Sequence, residues 1–79
     1  MNQLSVTIRR KDGILWHGRA DSLSTTNQLG VFDVLPSHAH FVGMVEQYIE
    51  VSSDVKKRWD IDRGIMSITD DIVEVYLDY

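Results

Sequence analysis

Cysteine is absent from this 79-residue chain, so neither a disulfide framework nor a thiolate metal site can contribute to its stability. Proline occurs once, at Pro36, and no stretch approaches the roughly 20 apolar residues that a membrane helix needs. The opening Met1-Asn2-Gln3-Leu4 starts a polar/apolar alternation rather than a basic region followed by an apolar run, which predicts neither a cleaved secretory leader nor membrane insertion. Basic residues are the minority: eight Lys and Arg against twelve Asp and Glu give a formal charge of −4. That balance argues against nucleic acid as a partner, although Arg9-Arg10-Lys11 and Lys56-Lys57-Arg58 are local basic clusters.

Catalytic signatures are missing as well. No Gly-rich loop is followed by a lysine that would cradle phosphates, and no serine sits in a nucleophile elbow. Asp70 and Asp71 are adjacent, so on a strand they would face opposite ways, and in an exposed turn nothing raises one pKa for acid/base work; a solvated turn is expected. His38 and His40 stand two apart and would point to the same side of an extended segment, but spacing supplies no third ligand. They read as loop histidines that hydrogen-bond or meet a partner, with a His-dependent metal enzyme as the remote alternative. No catalytic residue, cofactor or metal site is therefore predicted.

What the chain has is period-two patterning. Leu4, Val6 and Ile8 alternate with Ser5, Thr7 and Arg9; Ile14, Trp16 and Gly18 alternate with Leu15, His17 and Arg19, and Asp12-Gly13 between the two runs supplies turn chemistry, giving an opening hairpin. Residues 20–26, 31–35, 48–51, 58–61, 66–68 and 73–77 read as further strands. Polar loops at 25–30, Ser52-Ser53-Asp54 and Asp70-Asp71 separate several of them. Pro36 cannot donate to a ladder and should end the 31–35 strand, so Ser37-His38-Ala39-His40 emerges as an exposed loop.

No 11-residue window carries a helical stripe, and no repeat or linker divides the chain. The pattern predicts one all-β domain over residues 1–79, a two-layer antiparallel β-sandwich or flattened barrel, with Leu4, Val6, Ile8, Trp16, Phe32, Val34, Ile68, Val73, Val75 and Leu77 inward. Trp16 and Trp59 suit either a core or an interface. A chain of this size buries only about 60% of its unfolded surface, so its stability is modest and a partner would add to it.

The segment Gly30-Val31-Phe32-Asp33-Val34-Leu35-Pro36-Ser37-His38-Ala39 resembles the Gly-x-Phe-Gly-Val-Leu-Pro-Gly-His-Ala motif in the amino-terminal domain of the epsilon subunit of F-type ATP synthases, called delta in mitochondria. Asp12-Gly13 and Gly18-x-Ala20-Asp21-Ser22 upstream, and Gly64-Ile65-Met66-Ser67-Ile68 with Val73-Glu74-Val75-Tyr76-Leu77 downstream, extend the resemblance over nearly the whole chain. Asp33 and Ser37 stand where the family usually has glycine, Val31 where it often has an acidic or polar residue, and Asp62-Arg63-Gly64 replaces Ser-Gly-Gly. Residues 42–50 lack the usual Lys-Pro-Gly turn, and the carboxy-terminal helical hairpin has no counterpart before Tyr79.

The resemblance implies a non-catalytic central-stalk subunit that links the gamma subunit to the c-ring and supports coupling of ion flow to ATP synthesis. It would be peripheral on the cytoplasmic face of the inner (plasma) membrane, or on the matrix or stromal face in an organelle. Arg10, His38, Ala39 and Val42 fall on gamma-facing positions. Asn27, Gln28, Leu29, Gly30 and Val31 fall on the loop that meets the c-ring; with Val31 unable to form a salt bridge, Asn27 or Gln28 is expected to supply hydrogen bonds. A free-standing protein-binding module of the same fold is the alternative.

Overall fold

A computed structural model describes residues 3–37 and 40–77. Its elements are strands: β1 (Leu4–Arg10), β2 (Gly13–Ala20), β3 (Ser22–Asn27), β4 (Gly30–Val34), β5 (Phe41–Ser52), β6 (Lys56–Thr69) and β7 (Ile72–Leu77). They form one sheet in the order β2-β1-β7-β6-β5-β3-β4, open at both ends rather than closed into a barrel. Five of the six pairings are antiparallel, but β1 and β7 run parallel, with Val6 beside Val73 and Ile8 beside Val75. Local alternation gives the inward face of each strand and carries no information on the direction of a neighbour remote in sequence, which is why this pair escaped the antiparallel expectation.

The expected strands at 58–61 and 66–68 are one continuous strand, β6, and the one expected at 48–51 begins at Phe41. A bulge makes this possible. Glu46 pairs with Arg63 and Gln47 with Ile61, leaving Asp62 as the extra residue, while Gln47 takes a positive φ of 73°. Bulges bend strands and increase their twist. Residues 41–46 and 64–69 therefore continue the layer of β7, β1 and β2, whereas residues 48–52 and 56–61 continue the layer of β3 and β4.

Two tilted aromatic pairs close the sides of the sandwich: Trp16 of β2 on Trp59 of β6 at 5.4 Å between centroids, and Phe32 of β4 on Phe41 of β5 at 5.5 Å. The chain passes between layers at Asp21, whose N–H donates to the carbonyl of Ser52. Leu4, Val6, Ile8, Val34, Ile68, Val73, Val75 and Leu77 are buried as the alternation predicts, joined by Ala20, Leu23, Val45, Ile49, Val51 and Met66; Trp16 and Phe32 are half-buried against them.

Where the β3–β5 register shifts between Thr25 and Thr26, two buried threonine hydroxyls reach main-chain carbonyls of β5. Thr25 Oγ1 donates to the carbonyl of Tyr48 and Thr26 Oγ1 to that of Glu46, each at 2.7 Å. Thr25→Val keeps the shape but removes the donor, so it should cost about 1–3 kcal/mol, the penalty of an unsatisfied buried polar group. Urea unfolding of the variant beside Ser24→Ala, a half-buried hydroxyl on the same strand, checks this: an equal midpoint for both would remove the role given to Thr25.

Asp70 and Asp71 form the β6–β7 turn with φ of 51° and 64°, a geometry whose twist matches that of the flanking strands. The turn expected at these residues is present, with Asp70 exposed and Asp71 half-buried. The Asp71 carboxylate accepts the N–H of Ser37 at 2.7 Å, and its carbonyl accepts the N–H of Ser5 at 2.8 Å. The segment after Pro36 is thereby tied to the start of β7.

Candidate functional site

Strand register assembles an outward face on the first layer. Met44, Ile65 and Tyr76 stand side by side across β5, β6 and β7, with Arg9 of β1 next in line. One pleat along, Val42, Ser67, Glu74, Thr7 and His17 form a second row, and Thr69, Ile72, Ser5 and Arg19 form a third. On this face Val42 is 75% exposed, Ile72 54%, Met44 48% and Tyr76 41%, with Ile65 half-buried among them. Isolated exposed apolar side chains are ordinary; four exposed and one half-buried on a single sheet face make a candidate interaction surface.

The polar groups of this face are engaged with one another. Glu74 Oε2 accepts from Arg9 Nε at 3.3 Å and from the Tyr76 hydroxyl at 3.1 Å, and Thr7 Oγ1 is hydrogen-bonded to His17 Nδ1 at 2.8 Å. The Arg9–Glu74 pair is more than a third exposed on both sides, so its contribution to stability is small. Its effect is positional. It holds the carboxylate beside Arg9 and Tyr76 and leaves Val42, Met44 and Ile65 as neighbouring apolar side chains on the β5–β6 half of the face.

The turn between β3 and β4 adjoins that half. Asn27 Oδ1 accepts the N–H of Leu29 at 2.8 Å, and Gly30 follows at φ 126°, a conformation that side chains other than glycine's rarely allow. This fixes Leu29 in the open, 97% exposed, with Val31 67% exposed behind it. The Asn27 side-chain oxygen thus serves the turn itself, and its amide N–H groups, with Gln28, are the groups left to point outward. Asn27, Gln28, Leu29, Met44 and Glu46 line a depression of about 270 Å³, so the turn and the outer face share Met44 as a common boundary.

Of the residues expected to face gamma, Val42 lies on the outer face. Arg10 does not join it. It follows Arg9 with opposite parity at the end of β1 and lines a separate depression of about 260 Å³ with Asp60, Ile61, Asp62, Arg63 and Leu77. His38 and Ala39 lie outside the described residues, and His40 beside them is exposed. Among the described residues, no three His, Cys, Asp or Glu gather as a metal site, and no helix is long and apolar enough to cross a membrane.

Met44, Ile65, Ile72 and Tyr76 were not recognised from the sequence as part of a site. The signal was present in Ile72-Val73-x-Val75-Tyr76-Leu77 and Phe41-Val42-x-Met44-Val45, where both parities are apolar. Runs that are apolar at both parities are the pattern of strands with two apolar faces rather than one.

No curated protein matches this sequence significantly. A chain in the cryo-EM structure of the Euglena gracilis mitochondrial ATP synthase, OSCP/F1/c-ring in rotational state 1, is similar with a TM-score of 0.85 at 20% sequence identity, covering 95% of this chain and 50% of that one. At that identity the likeness is one of fold, and the present chain spans half the length of the chain it matches. The family described as ATP synthase, Delta/Epsilon chain, beta-sandwich domain matches residues 3–79, which takes in every described strand. An open seven-stranded sandwich with an apolar outer face and a matching family profile lead to one conclusion: this chain belongs to the ATP synthase delta/epsilon β-sandwich domain family.

Proposed function

We propose that this chain is a non-catalytic central-stalk subunit of a rotary F-type ATP synthase, holding the gamma subunit with its outer sheet face and turning the β3–β4 loop toward the c-ring. The observation that carries the reading is the set of apolar side chains Val42, Met44, Ile65, Ile72 and Tyr76 on a sheet face that no other described element covers. A torque-bearing adaptor needs stiffness and two contact regions. Sheet ladders resist shear, the aromatic pairs lock the layers together, and the outer face and turn lie on one contiguous side.

Val42 contributes packing to the gamma contact in this reading, and His38 with Ala39 extends it from the loop that Asp71 anchors. Arg10, on the other parity of β1, meets a different part of the assembly. The protein acts on the F1 side of the energy-transducing membrane, cytoplasmic in a bacterium and facing the matrix or stroma in an organelle.

Mixing the purified chain with gamma should give a stoichiometric one-to-one complex by size exclusion with light scattering. Adding it to a synthase stripped of its own epsilon subunit should restore coupling between hydrolysis and ion pumping. Persistent monomers in the first assay and no recovery in the second would favour the free-standing module instead.

A further inference from the structure

We propose that the depression between the β3–β4 turn and the bend of β5 is a docking pocket for one apolar side chain of a partner protein, with a basic residue beside it. This rests on the central-stalk reading and specifies its chemistry at the turn. The cavity of about 270 Å³ is at the small end for a ligand site and suits a single large side chain. Leu29, 97% exposed, forms one wall, and Met44, 48% exposed, is its apolar boundary with the outer face.

Both sides of the pocket are set before any partner arrives. Asn27 Oδ1 holds the N–H of Leu29, and Thr26 Oγ1 donates to the carbonyl of Glu46. A pre-formed pocket avoids the ordering cost that a mobile loop would incur on binding.

Charge then selects the neighbour. The Glu46 side chain lines the pocket and makes no ion pair among the described residues, whose salt bridges are Arg9–Glu74 and Arg58–Asp60. Arg63 stands opposite Glu46 in the ladder without forming an ion pair with it, so an apolar side chain alone would desolvate the carboxylate with little compensation, whereas a lysine or arginine of the partner next to it would pair with it. The overall charge of −4 favours approach of a basic segment in the same sense. Because Met44 is shared with the outer face, a partner covering that face reaches the pocket without a second docking event.

The test uses the full chain and a gamma–c-ring subcomplex stripped of its own epsilon subunit, with dissociation constants measured at low and high salt. Leu29→Asp and Met44→Asp should each weaken binding about tenfold or more, as loss of a central apolar contact does. Glu46→Gln should weaken it about threefold at low salt and flatten the salt dependence. Leu29 is nearly free of contacts, so its variant keeps the apolar arm decisive even where Met44→Asp disturbs folding. If the unmodified chain binds and the Leu29 and Glu46 variants bind as tightly with the same salt dependence, the pocket assignment falls and the stalk reading stands. If salt dependence persists in Glu46→Gln while Leu29→Asp is impaired, the basic neighbour is wrong. No binding by the unmodified chain contradicts the stalk reading itself, and light scattering then shows whether a second copy occupies the surface.

Discussion

Gly64→Val should lower the stability of the protein by a large share of its total, against what strand propensity alone would give. Valine suits strands, and replacing glycine in a strand interior removes an entropic penalty of roughly 0.5–1 kcal/mol, so an open site would gain stability. Gly64 is not an open site. A Cβ there would stand 2.9 Å from the carbonyl oxygen of Tyr76 and 2.9 Å from Leu77 Cδ2, and the residue is buried opposite Leu77 on β7. One of these two equally close obstacles is main chain, which cannot rotate away as a side chain can, so relief requires β6 and β7 to separate. Overpacking of this kind costs about 1–3 kcal/mol, and valine adds two methyls to the clash.

A domain of this length has roughly 4–12 kcal/mol of total stability, so such a loss is a large share of it. Urea unfolding should show Gly64→Val with a much lower midpoint and Gly64→Ala between it and the unmodified protein. A midpoint raised by either substitution would mean that the β6–β7 contact is looser than these distances imply.

Gly64 also illustrates what the sequence could disclose. It fell in the gap between the strands expected at 58–61 and 66–68. In the structure it lies inside β6, and the glycine is there for close approach to β7 rather than for a turn. The same limit applies to Asp62, which looked like part of a loop and is the extra residue of a bulge. Where alternation was clean, as at Leu4, Val6 and Ile8 or Val73, Val75 and Leu77, the inward set was readable without any structure. Where a strand's outcome depends on a neighbour far along the chain, as in the parallel β1–β7 pair, local pattern had nothing to report.

The candidate site divides along similar lines. Residues 27–31 came from resemblance to the family's loop, and only the structure shows that within it the Asn27 side-chain oxygen accepts the backbone N–H of Leu29, leaving its amide N–H groups and Gln28 as the outward donors. Val42 came from resemblance to a motif, whereas Met44, Ile65, Ile72 and Tyr76 gather around it only through the registers of β5, β6 and β7. Arg10 was grouped with Val42 on the same resemblance. Three strand positions and opposite parity separate them in the sheet.

Val42→Asp combined with Ile72→Asp should abolish stalk assembly while leaving the fold intact. Val42 is 75% and Ile72 54% exposed, so each charge faces solvent in the free protein and disturbs little beyond strand propensity, within about 1 kcal/mol. In an assembled complex each carboxylate would instead be driven into an apolar contact without a partner. Losing about 1.4 kcal/mol at each position, a modest value for a buried interface residue, already multiplies to a hundredfold weaker association. The two sites stand on β5 and β7 with β6 between them, far enough apart for their effects to approach additivity. Thermal unfolding of the double variant should match the unmodified protein within a few degrees, while its dissociation constant for gamma rises at least a hundredfold and it fails to restore coupling to a depleted synthase. Arg10→Ala serves as the contrast, since its place off this face predicts nearly unchanged gamma affinity. Full affinity in the double variant, with strong loss on Arg10→Ala, would transfer the gamma contact from the outer face to the end of β1.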